Sequence, residues 1–107
     1  MNDLWDSSHV ERVLADLAPD IQIVHFDSSP ATSQLAAEQI GCELGQIAKS
    51  IVFWVVDQPV VVVTSGDQRV DDRKLALRYD VPRNRVRTAN AEECIAVTGY
   101  APGGVPP

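Results

Sequence analysis

Two apolar runs three residues apart constrain this chain more than any other feature: SIVFWVV at residues 50–56 and VVVVT at 60–64, joined by Asp57-Gln58-Pro59. β-branched and aromatic residues dominate both runs, and the joint is made of turn formers. The pattern predicts a hairpin of two central, buried strands. Unpaired, such segments aggregate, so the rest of the chain must cover them. With 107 residues, 45% of them hydrophobic, there is material for one packed domain over 1–107. Residues 1–7 are expected to be a flexible lead-in.

The surrounding elements follow from caps and periodicity. Ser8 and Glu11 fit a capping box, and Val10, Val13, Leu14 and Leu17 repeat at helical spacing, predicting a helix over about 9–18 that Pro19 stops. Ile21 to Phe26 reads as a strand, and Asp27-Ser28-Ser29-Pro30 as a turn. Thr32 or Ser33 caps a second helix that Gly41 ends. Asp71 or Asp72 opens a third helix, running to about Tyr79. Asn90 with Glu93 opens a fourth, closed by Gly99. Val86 lies in a short extended stretch. The class is a mixed α/β domain, with a sheet and surrounding helices.

Charge is unevenly spread. The net charge is −6, which argues against generic polyanion binding. Residues 1–45 carry eight acids against Arg12 alone. Residues 69–87 hold seven bases (Arg69, Arg73, Lys74, Arg78, Arg83, Arg85, Arg87) against three acids. That strip suits either a solvated surface or one edge of a phosphate backbone. The N-terminal MNDLWDSS lacks the basic and apolar regions of a signal peptide, and no run approaches the ~20 apolar residues of a membrane span. Cys42 and Cys94 read as reduced thiols, and the chain as cytoplasmic.

No hydrolase triad, CxxC, HExxH or phosphate-binding Walker sequence is present, and no metal or cofactor is expected. His9 and His25 are isolated. Lys49 stands beside the buried run, where its amine reaches either solvent or a cleft at the strand's start. Gly103 and Gly104, stiffened by Pro106 and Pro107, form either a surface turn or a loop whose bare N–H groups hold an oxyanion.

Four stretches, VHFDSSPATSQLAAEQIG (24–41), QIAKSIVF (46–53), VVVVTSGDQRVDDRKLA (60–76) and TGYAPGGVPP (98–107), occur in the order and spacing of a known family. The chain resembles the YbaK-like aminoacyl-tRNA deacylases, the trans-editing proteins related to the editing domain of prolyl-tRNA synthetase. The resemblance implies hydrolysis of the ester joining a wrong, small amino acid, such as alanine or cysteine, to the tRNA for proline. It implies that Lys49 holds the acylated 3′ end and that the loop from Gly103 and Gly104 through Val105 to Pro107 positions the ester carbonyl. Phe26, Thr32, Thr98 and Tyr100 are implied as substrate-binding, with Phe26 standing where some relatives carry tyrosine. The partners implied are aminoacyl-tRNA and prolyl-tRNA synthetase. Family members run past this length, so the C-terminal part of the family domain is expected to be absent. A non-catalytic module binding aminoacyl-tRNA or a synthetase, or an inactive truncated fragment, are the alternative readings.

Overall fold

The computed structural model describes residues 5–26 and 32–107. Four α-helices and three strands are described: α1 (Ser7–Leu17), α2 (Ser33–Ile40), β1 (Ala48–Val55), β2 (Gln58–Ser65), α3 (Asp72–Tyr79), β3 (Val86–Thr88) and α4 (Ala91–Thr98). The expected hairpin forms. β1 and β2 pair antiparallel from Ala48↔Ser65 to Val55↔Gln58, and β3 adds to the other side of β1, giving the order β2-β1-β3.

β1 alone is central. β2 is an edge strand, and Val61 and Val63 are 44% and 52% exposed, which corrects the expectation of two buried strands. Side chains alternate between faces along a strand, so a run of four valines must present two of them to each face. Val60 and Val62 join Ile51, Phe53 and Val55 on the face covered by Ala76 and Leu75 of α3. Val61 and Val63 lie on the other face with Val52, which is incompletely covered. Pro59 opposes Trp54 at a position of β2 whose N–H would point out of the sheet, so its missing donor costs no ladder bond.

The hairpin turns at Val56 and Asp57, and Val56 has φ +57°. A β-branched side chain is disfavoured there by roughly 1–2 kcal/mol. Val56 is 37% exposed, so little burial offsets the strain. Val56→Gly is therefore expected to raise stability by about 1 kcal/mol, read as a higher urea midpoint.

The caps sort by chemistry. Of the paired candidates, Thr32 rather than Ser33 accepts from Leu35 N–H at 3.1 Å and Asp71 rather than Asp72 from Arg73 N–H at 3.0 Å, while Asn90 accepts from Glu93 N–H at 2.8 Å as the sequence predicts. Gly41 and Gly99 end their helices in the left-handed region, at φ +84° and +82°. The cap of α1 is a correction. Asp6, not Ser8, accepts from Ser8 N–H at 3.0 Å and from its hydroxyl, a carboxylate being the stronger acceptor at a helix N-terminus. Glu11 pairs instead with His25 at 2.6 Å.

The expected strand Ile21–Phe26 is not part of the sheet, and Ile21 and Val24 are 57% and 58% exposed. β-branched composition supplies an extended backbone but not the neighbour whose hydrogen bonds make a strand. The turn expected at Asp27–Pro30 lies outside the described residues. At the other end Trp5 donates its N–H to Gly99 C=O at 2.8 Å and sets its ring edge-on to Tyr100, 5.9 Å between centroids. No described helix is long and apolar enough to cross a membrane.

Candidate active site

A cavity of about 450 Å³ lies along the first part of β1. β1 forms one wall from Ala48 to Val52, α2 and its cap contribute Thr32, Ser33 and Ala36, and Cys94 of α4 lines it too. Pro102, Gly103 and Val105 of the C-terminal loop line it as well. Lys49 and the glycine-bearing loop therefore border one hollow, although 54 residues separate Lys49 from Gly103 in sequence.

The loop's shape follows from its residues. Gly104 N–H donates to Ala101 C=O at 2.9 Å, with Pro102 and Gly103 between them and Gly103 at φ +85°. This is the type II pattern, with proline fixing the first central position and glycine taking the positive φ of the second. The N–H of Gly104 is thereby committed to the turn. Those of Gly103 and Val105 have no acceptor among the described residues. The loop is rooted by Thr98, whose Oγ1 accepts from Tyr100 N–H at 3.1 Å and lies 2.8 Å from the carbonyl of Cys94, to which it donates. Its far end is tied to β1, where Ser50 Oγ donates to Pro106 C=O at 3.1 Å.

Lys49 is half-buried and forms no salt bridge among the described residues. Lys49 is among the residues that line the cavity, so its positive charge belongs to the surroundings of the hollow. Its backbone position is fixed by pairing with Thr64, so the amine is delivered from a rigid element.

Thr88, Ala89 and Cys94, which also line the cavity, come from the junction of β3 and α4. Arg87 grips Glu93 with two bonds of 2.8 Å, and Glu93 also accepts from Asn90 N–H at 3.0 Å. The Arg87 guanidinium, then the Asn90 N–H, push the Glu93 carboxyl down to about 2. A carboxyl lowered on folding adds stability above its unfolded value near 4.5, and loses it as pH falls through about 2. Glu93→Gln is expected to flatten the acid limb of a stability-against-pH curve between those values; an unchanged limb would show the clamp to be idle.

Of the residues the sequence singles out, Thr32, Lys49, Gly103 and Val105 line the cavity. Phe26, Gly104, Thr98, Tyr100 and Pro107 are not among its lining residues. Thr98 holds the loop's root, Tyr100 is buried at 7% exposure beneath it, and Pro107 is exposed beyond it. Sequence reasoning missed Ser50 and Cys94. The available signal for Ser50 was a hydroxyl opening an otherwise apolar strand. The basic strip is partly neutralised: Arg73, Arg83 and Arg87 pair with Asp71, Asp72 and Glu93.

Comparison with known proteins bears on this geometry. Residues 28–107 match the family model described as an aminoacyl-tRNA editing domain. The chain is 35% identical over 86 residues to the uncharacterized protein YwhH of Bacillus subtilis (strain 168), covering 79% of this chain and 53% of that protein. It is 39% identical over 71 residues to the proline–tRNA ligase of Lactobacillus gasseri, covering 66% of this chain and 12% of the ligase. A crystal structure described as "a putative trans-editing enzyme for prolyl tRNA synthetase" superposes with TM-score 0.82 at 33% identity, over 94% of this chain and 62% of that one. That of the hypothetical protein APE2540 superposes with TM-score 0.78 at 27% identity, over 92% and 64%. The chain thus spans about half the length of YwhH and under two thirds of these structures.

Proposed function

Because this chain belongs to the aminoacyl-tRNA editing domain family, we propose that it is a deacylase removing a small amino acid, alanine or cysteine, from the tRNA for proline. The observation that carries this reading is that Lys49 and the Gly103 turn line the same cavity, with the Gly103 and Val105 N–H groups unpaired among the described residues.

An aminoacyl ester is an activated acyl group, so its hydrolysis demands positioning more than a strong protein nucleophile. Water adds to the ester carbonyl, whose oxygen gains negative charge as the tetrahedral intermediate forms. The C–O bond to the ribose then breaks, the 3′ oxygen leaves with a proton, and the amino acid departs as its acid. The N–H groups of Gly103 and Val105 supply donors for the charge that develops. The Lys49 ammonium holds the 3′-terminal nucleotide, a phosphate or hydroxyl being a suitable partner for a point charge on a flexible stem. Thr32 contributes a hydroxyl at the rim. Gly104 serves through the turn it closes, and Thr98 and Tyr100 by rooting it. Ala36, Ala48 and Ala89 keep the cavity wide enough for a small side chain, with pocket size setting what enters.

The test is a panel of tRNAs for proline carrying alanine, cysteine or tryptophan. The alanyl and cysteinyl esters are expected to be cleaved well above the spontaneous rate and the tryptophanyl ester spared; cleavage at the spontaneous rate throughout would overturn the reading. The chain acts as one editing-type domain in the cytoplasm, with prolyl-tRNA synthetase as a partner. Arg78 and Arg85 make no salt bridge among the described residues, and supply weak tRNA contacts. Converting both to glutamine should lower the slope of log affinity against log salt by about two; an unchanged slope would remove the strip from the interface.

A further inference from the structure

Five consecutive residues of β1, Ala48 to Val52, line the cavity. A hollow lying over one face of a strand would take alternate residues only. This one therefore runs along the strand's edge, where backbone groups as well as side chains are presented.

The register says which groups these are. Ile47 C=O accepts from Gly66 N–H, so the odd-numbered residues of β1 bond towards β2. The even-numbered ones bond towards β3: Val56 N–H donates to Arg85 C=O at 2.8 Å, and Val52 C=O accepts from Ala89 N–H at 2.9 Å. β3 ends at Thr88, and Asn90 turns the chain into α4. Past that point the Val52 N–H and the Ser50 C=O point, by register, to the side that β3 leaves open; both residues line the cavity, and neither group has a hydrogen-bond partner among the described residues. The Gly103 turn lines the same cavity, and the loop is tied to the strand through a side chain, Ser50 Oγ donating to Pro106 C=O at 3.1 Å.

A C=O at one residue and an N–H two residues on, facing the same way, are what a parallel strand uses to bind one residue of its neighbour. We propose that the aminoacyl group of the substrate docks here as a one-residue strand opposite Ile51. Its α-ammonium donates to Ser50 C=O, and its carbonyl oxygen accepts from Val52 N–H with one lone pair and from the Gly103 turn with the other. The chemical class recognised is an α-aminoacyl group with a free ammonium. A hydroxyacyl group in its place keeps the carbonyl contact and loses the charge-assisted one. The identity of the ligand rests on the deacylase reading; the location of the open edge does not.

The probes are 3′-alanylamino-3′-deoxyadenosine, an amide that cannot be hydrolysed as an ester, and its lactyl counterpart, titrated into the ¹⁵N-labelled chain. The alanyl probe is expected to shift the Val52 amide proton downfield and to bind at least about tenfold more tightly than the lactyl probe. Replacing Val52 by its α-hydroxy acid deletes that N–H, removes no donor from the β2 ladder and weakens only the Ile51 C=O as an acceptor; it should weaken the alanyl probe about tenfold. Equal affinity for the two probes, an unmoved Val52 amide, or no binding of either would overturn the proposal. Alanyl-tRNA hydrolysis by the same sample separates the two claims. Turnover without preference for the ammonium rejects the edge and keeps the deacylase. Probe binding with the Val52 shift but no turnover keeps the edge and rejects the deacylase.

Discussion

Lys49→Ala is expected to lower kcat/KM for deacylation of alanyl-tRNA by about 10²–10³, the loss typical of a single electrostatic group at a reacting centre. Among the described residues no carboxylate pairs with its ammonium. The truncation removes no buried ion pair and leaves the backbone pairing with Thr64 in place, so the thermal midpoint should stay within a few degrees of the parent's. Lys49→Arg keeps the charge but exchanges a point donor for a planar fork, and should recover only part of the rate. Single-turnover rates together with midpoints check both halves. A Lys49→Ala protein that deacylates at the parent's rate would take the amine out of the mechanism.

Gly66→Ala is expected to cost about 2–3 kcal/mol of stability, an overpacking penalty at a site that has no room to give. A Cβ there would sit 2.8 Å from Leu44 C=O, 3.0 Å from Ser33 Cβ and 3.2 Å from Ile47 Cβ. The nearest obstacle is backbone, and Gly66 N–H is itself bound to Ile47 C=O at 2.6 Å, so neither chain can draw back without losing that bond. Because Ser33 and Ile47 both line the cavity, activity should fall along with stability. A thermal midpoint lowered by roughly 10 °C is the expected reading. A midpoint equal to the parent's would mean that the strand end and the start of α2 are not held together as described.

The secondary structure was legible where a residue type acts locally. Thr32, Asp71 and Asn90 cap because their side chains reach the N–H groups two or three residues on, and Gly99 ends α4 because it alone tolerates the positive φ. What depended on a distant neighbour was not legible. Ile21–Phe26 has strand composition but no place in the sheet. The run of valines in β2 identifies a strand without saying that one of its faces stays open, because that is decided by where α3 packs. Asp6 outcompeted Ser8 as a cap because two candidate acceptors stood side by side, and only charge separates them.

The candidate site divides the same way. Lys49 beside an apolar strand, and two glycines between prolines, are visible as a rigid cation and a bare loop. That both line one cavity follows from the tertiary structure. Ser50 escaped notice because its partner, Pro106, is 56 residues away. The open edge of β1 escaped it because that edge exists only where β3 stops.

The claim that Lys49 and the Gly103 turn act on one bound ester is tested most directly by a double-mutant cycle on alanyl-tRNA deacylation. Gly103→Ala places a side chain at φ +85° and should distort the turn that presents the N–H groups. If both elements serve the same ester, the Lys49→Ala, Gly103→Ala protein should be little slower than the slower single variant. Rate losses that multiply in the double variant would place the two features in separate processes and contradict the shared site.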